Sequence, residues 1–182
     1  MREGPPALPF VLTVGVTGHR KAALPADSLP TLEERLRAVL GETKVRAEQV
    51  RSANCQFFSD DPSRLALVSP LADGADQMTA HMALDLGFEL HAILPFERER
   101  YRLDMVDDAS RGRFDALLQK AKSVLELAGR PEEALQPYVM AGLATVAHSD
   151  LLLAVWDGQP ARGAGGTADV VELAMGLARP II

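Results

Sequence analysis

The chain has 182 residues, 47% hydrophobic and 24% charged, enough for one well-buried domain and too few for two ordinary ones. A net charge of −6 excludes a disordered polyelectrolyte and disfavours a nucleic-acid partner, and aromatics at 5% leave little material for base-stacking platforms. One cysteine, Cys55, rules out an internal disulfide and a multi-cysteine metal site; it reads as a buried bystander and fits a reducing, cytosolic setting.

Residues 1–9 read as a loose, Pro-rich lead-in with no signal-peptide pattern. No apolar stretch approaches the roughly 20 residues that a bilayer span needs, so no segment of this chain is expected to be membrane-embedded. The run Phe10 to Val16 predicts a strand buried on both faces of a parallel sheet, closed by Thr17-Gly18-His19-Arg20. Leucines and valines at three- and four-residue spacing predict a helix from Ser28 to about Arg51, with Pro30 near its start and Gly41 as a break or bend. A second strand, Leu65 to Val68, leads through Asp73-Gly74-Ala75-Asp76 into a helix over Ala75 to Leu86, stopped by Gly87.

Phe88 to Leu94 is a third strand, ended by Pro95. From Glu97 to Arg113 acidic and basic residues occur in equal numbers, which reads as a helical, solvent-exposed excursion in preference to the alternative, a ligand-gripping lid. Ser123 to Leu127 is either a short edge strand or a helix end, and Pro131 to His148 reads as a helix with apolar last turns. Leu151 to Trp156 is the clearest buried strand; Asp157-Gly158, a glycine-rich segment from Gly163 to Thr167 and a helix over Ala168 to Ala178 follow it. Pro180-Ile181-Ile182 looks like the start of a further strand, so the chain reads as one domain, 10–182, of a longer protein.

Strands alternating with helices predict an α/β, Rossmann-like, doubly wound and mainly parallel sheet with helices on both faces. In such sheets ligands bind beyond the carboxyl ends of the strands. The loops after the strands supply Thr17, Gly18, His19 and Arg20; Asp73, Gly74 and Asp76; Pro95; and Asp157, Gly158, Gly165, Gly166 and Thr167. The amides of Gly165, Gly166 and Thr167 suit a phosphate at a helix start; the plain alternative is a tight turn with Thr167 as N-cap. Arg20 suits a phosphate or an ion pair with Asp73 or Asp76, and the two aspartates suit ribose hydroxyls or helix capping. Neither glycine-rich loop matches a P-loop or G-x-G-x-x-G pattern, and no metal ligand set or cofactor motif stands out.

Val14 to Arg20, Ser69 to Asp76, Ile93 to Phe96, Asp150 to Gly158 and Gly165-Gly166-Thr167, in this order, resemble the SLOG superfamily, which joins the DNA-processing protein A fold with the lonely-guy phosphoribohydrolases. The resemblance implies a Rossmann-like domain that binds nucleotides or nucleotide-derived ligands; some members sense NAD-derived signals such as cyclic ADP-ribose variants and are fused to an effector or a membrane segment. Lonely-guy enzymes carry Pro-Gly-Gly-x-Gly-Thr-x-x-Glu with a catalytic glutamate. Here Val170 holds that place, Asp169 and Glu172 lie one before and two after it, and Gly163 or Ala164 replaces the proline.

The leading expectation is therefore a cytosolic sensor of an ADP-ribose-like or NAD-derived ligand, homodimeric by analogy with SLOG relatives and joined to an effector or downstream domain. The alternatives are hydrolysis of a nucleotide N-glycosidic bond by Asp169 or Glu172, and a ligand-independent interaction scaffold.

Overall fold

A computed structural model describes residues 7–133, 135–160 and 165–182. Five strands form one parallel sheet: β1 (Val11–Gly18), β2 (Arg64–Ser69), β3 (Glu89–Leu94), β4 (Ser123–Glu126) and β5 (Leu151–Val155). The helices are α1 (Leu29–Ala53), α2 (Ala75–Asp85), α3 (Arg98–Tyr101), α4 (Asp108–Lys120), α5 (Gln136–Ala147) and α6 (Thr167–Gly176). The sheet order is β4-β3-β2-β1-β5. Successive strands thus step one way from β1 to β4, and the chain then returns across the sheet to place β5 on the other side of β1. Because parallel crossovers are right-handed, that reversal moves the later helices to the opposite face. The contacts agree: α2 packs against α1 and α4, while α5 and α6 pack against each other and on β1.

The sheet interior follows from the apolar runs. Val14 stands beside Leu67 of β2 and Leu151 of β5, and Leu67 beside Leu90 of β3. Val14, Leu67, Leu90 and Leu94 are buried on one face and Val68 and Ile93 on the other, as a parallel sheet covered on both faces requires. Gly87, at φ 86°, closes α2 in the left-handed backbone of a helix C-terminus.

Several expectations change. Gly41 does not break α1, which runs unbroken from Leu29 to Ala53. Cys55 is exposed, not buried, since it lies in a short 3₁₀ turn after α1. Leu8 of the lead-in is tied down: its carbonyl accepts from the Ser59 amide at 2.9 Å. Residues 123–126 are an edge strand beside β3. Pro180 to Ile182 do begin to pair with β5, with the Ile182 amide donating to the Leu152 carbonyl at 2.9 Å.

The charged segment 97–113 is the largest departure. Tyr101, Met105 and Phe114 are almost fully buried, so the charges around them in the sequence hid an apolar face. Tyr101 stacks edge-on against Phe96 at 5.5 Å and Phe114 at 5.7 Å, which clamps the excursion over the end of β3.

Candidate ligand-binding site

The strand order reverses between β1 and β5, whose ends are aligned by the pairs Thr17–Ala154 and Gly18–Val155. A cavity of about 680 Å³ opens beyond those ends. Its walls come from the loops after β1, β2, β3 and β5, the residues Tyr101 and Asp104, one side of α5 from Tyr138 to Thr145 and the start of α6.

The loops after β1 and β2 are laced together. The Ala75 amide donates to the His19 carbonyl at 3.1 Å, and the Lys21 amide to the Asp73 carbonyl at 3.2 Å. Gly74 makes this possible: at φ 101° a side chain is strained, and a Cβ would lie 2.4 Å from the Lys21 nitrogen and 2.6 Å from the His19 oxygen. Leu71 in the same loop is buried at φ 58°, a left-handed conformation that a leucine adopts at a cost of order 1–3 kcal/mol.

Arg20 projects from this lacing into the cavity wall. Its Nη1 donates to Asp73 Oδ1 at 3.0 Å and reaches the Asp104 carbonyl at 3.5 Å, and its guanidinium carbon lies 5.8 Å from the centre of the Tyr138 ring. The Tyr138 hydroxyl donates to Asp104 Oδ2, and burial pushes that phenol up to about 12. Asp76 opens α2 at the cavity floor. It is 4% exposed, and its Oδ1 finds no hydrogen-bond partner among the described residues. Burial pushes its carboxyl up to about 7; the Ala72 backbone and Arg20 pull it down, and Asp73 pushes it up. One guanidinium thus serves three carboxyl groups, and this end of the cavity is acidic.

The opposite wall is made of backbone. Gly166 is the residue capping α6, with extended ψ of 175° and no side-chain cap; its carbonyl accepts from the Val170 amide at 3.2 Å. The amides of the first turn, at Thr167 and Ala168, lack intrahelical partners by construction. Thr167 is therefore the first helical residue and not the N-cap. The Gly165 amide is spoken for: it donates to Asp169 Oδ2 at 2.7 Å. Gly165 holds φ 79°, with Val139 only 3.0 Å from where a Cβ would stand.

Between the two ends, His19 and Asp157 meet at the rim, with His19 Nε2 at 3.2 Å from both the Asp157 amide and its Oδ1. Trp156 is 39% exposed on the same rim, and its indole N–H donates to the Gln159 carbonyl at 2.8 Å.

Thr17, Gly18, His19, Arg20, Asp76, Pro95, Asp157, Gly165, Gly166 and Thr167 all line the cavity. Asp73, Gly74 and Gly158 do not: Asp73 is buried under Arg20, Gly74 serves the lacing, and Gly158 forms a turn. Asp169 and Glu172 are also absent from the lining; Asp169 holds the Gly165 turn and Glu172 is exposed. Gly163, expected in the glycine-rich loop, lies outside the described residues. Sequence reasoning missed Tyr101, Asp104, Tyr138 and Trp156 as cavity residues. Trp156 carried a usable signal, an aromatic at the end of the last strand; the others sit in helical segments remote from any motif. Among the described residues, no group of three or more His, Cys, Asp or Glu is placed to hold a metal ion, and no helix is long and apolar enough to cross a membrane.

Three solved structures share this architecture. The structural-genomics target TM1055 aligns with 93% of this chain and 72% of its own at a TM-score of 0.53 and 13% identity. DNA processing protein A from Streptococcus pneumoniae aligns with 96% of this chain at a TM-score of 0.57 and 16% identity, and the Helicobacter pylori protein with 93% at 0.58 and 16%. The fold is the Rossmann-like α/β fold that these structures share. At these identities the likeness speaks for the fold alone, and the chain spans 49% and 63% of the two DNA processing protein A chains. The H. pylori structure concerns that protein's single-stranded DNA binding mode. No protein-family profile and no curated protein sequence matches the chain.

Proposed function

We propose that this domain binds a nucleotide or nucleotide-derived molecule, such as ADP-ribose or an NAD-derived signal, and acts as a sensor. The observation that carries the reading is the meeting of the α6 N-terminus with the β1–β5 crevice in one cavity of about 680 Å³, within the roughly 300–1,000 Å³ of small-molecule sites. The free first-turn amides of α6 suit a phosphate, and the Trp156 ring offers a face for a base. Arg20 is a weaker phosphate ligand than its sequence position suggests, because Asp73 already neutralises it. A long nucleic-acid backbone is disfavoured by the same acidic end and by the net charge of −6. Turnover gains no support from Asp169 and Glu172, which stand outside the lining.

A thermal-shift panel of nucleotides, NAD and ADP-ribose tests this, since a ligand of the folded state raises the melting temperature. At least one is expected to do so, and Gly166→Val is expected to abolish the shift, because its methyls crowd the amides while its backbone conformation suits valine. An unchanged shift in the variant removes the site from consideration.

A second reading is favoured by α5. None of its twelve residues is charged, and Val139, Met140 and Leu143 are exposed on its outer face, the kind of patch that partners cover. A homodimer or scaffold through this face predicts a solution mass above that of the monomer with and without nucleotide; a monomeric mass in both states overturns it.

A further inference from the structure

The acidic end of the cavity has a chemistry of its own that the phosphate reading leaves unused. Asp76 is 4% exposed, lines the cavity, and keeps one carboxyl oxygen without a partner among the described residues. A buried acceptor left unpaired is costly, so the carboxyl is poised to receive a donor. Asp104, on the same wall, already accepts from Tyr138, and a carboxylate has room for further donors. A phosphate is repelled by the surrounding carboxyl groups, and Arg20 is already taken up by Asp73 and the Asp104 carbonyl, so the open acceptor calls for a donor and not for an anion. A neutral group with several adjacent hydroxyl donors satisfies both constraints.

We propose that Asp76, with Asp104 lining the same cavity, forms a hydroxyl-reading subsite that selects a ribose over a 2′-deoxyribose. The proposal rests on the nucleotide reading of the same cavity, deepens it, and orients the ligand: phosphate on the α6 amides, sugar over the start of α2. The physical basis is that a site built to hydrogen-bond a hydroxyl leaves its own polar groups unpaired when that hydroxyl is missing.

Isothermal titration with AMP, 2′-deoxy-AMP, ribose 5-phosphate and 2-deoxyribose 5-phosphate separates the possibilities. AMP is expected to bind more than about tenfold tighter than 2′-deoxy-AMP. Asp76→Asn, which keeps the shape and replaces one carboxyl oxygen with an amide group, is expected to remove most of that preference. Asp104→Asn, at an exposed position that tolerates the change, is expected to reduce the preference less. Equal binding of AMP and 2′-deoxy-AMP overturns the subsite and leaves the nucleotide reading standing. Binding of ribose 5-phosphate over its deoxy form, with no binding of AMP, supports the subsite and overturns the nucleotide reading. Silence from all four compounds overturns both.

Discussion

The two ends of the cavity are built in opposite ways. The α6 end is local: a glycine turn, a capping residue and a first turn of helix, all within residues 165–169. The acidic end is assembled from Arg20, Asp73, Asp76, Tyr101, Asp104 and Tyr138, supplied by four separate stretches of chain. A local site tolerates damage elsewhere but offers little beyond backbone donors. An assembled site gains charge, burial and selectivity, and it ties its own stability to the fold. Substitutions that break the lacing or the Arg20–Asp73 pair should therefore cost stability, whereas Gly166→Val should act on binding.

The largest expected effect is at Gly74. Alanine there meets the Lys21 and His19 backbones at 2.4 and 2.6 Å and is strained at φ 101°, so the loops after β1 and β2 must separate. We expect a loss above about 3 kcal/mol, or failure to fold, by chemical denaturation; a near-native midpoint would show that the lacing is not needed.

Next is Arg20→Ala. It strands Asp73, which is 3% exposed, without its partner. Breaking a buried pair costs about 3–5 kcal/mol; with Arg20 itself 40% exposed, about 2–3 kcal/mol is expected. A double substitution, Arg20→Ala with Asp73→Ala, should recover part of that loss.

The smallest of the three is a pH effect at Asp76. Its carboxyl has an ordinary value of 3.8 and rises to about 7 in the folded protein. Between those limits the folded state holds a proton that the unfolded state has released, so this group's contribution is full below about pH 4 and is lost as pH rises through about 7. Asp76→Asn should remove that slope and stabilise the protein at about pH 8, by an amount on the order of 2 kcal/mol. Stability curves against pH that superimpose for both proteins would show that Asp76 titrates normally.

The contrast also explains what was legible in advance. The glycine-rich turn before α6 and the Asp73–Asp76 turn were readable because turn chemistry is written in neighbouring residues. The apolar runs predicted all the central strands because burial on both faces demands continuous hydrophobicity. Tyr101 and Asp104 were not readable: surrounded by charged residues, they looked like a solvated face until Phe96 and Phe114 supplied the partners that bury Tyr101. Tyr138 looked like an ordinary residue in an apolar helix, and its role depends on Arg20 and Asp104, far away in the chain. Asp73 and Asp76 looked equivalent, three residues apart at the start of one helix. One pairs with Arg20, and the other, at the cavity wall, keeps an oxygen with no partner among the described residues.

By itself, then, the amino-acid sequence determined the central strands and helices, their parallel pairing and the rim where the strand-end loops converge, because periodicity and turn residues act over a few positions. The tertiary structure alone decided which carboxylate pairs with Arg20 and which keeps an oxygen without a partner among the described residues. Burial and charge pairing depend on what stands within a few ångströms in space, and in this molecule those neighbours come from distant parts of the chain.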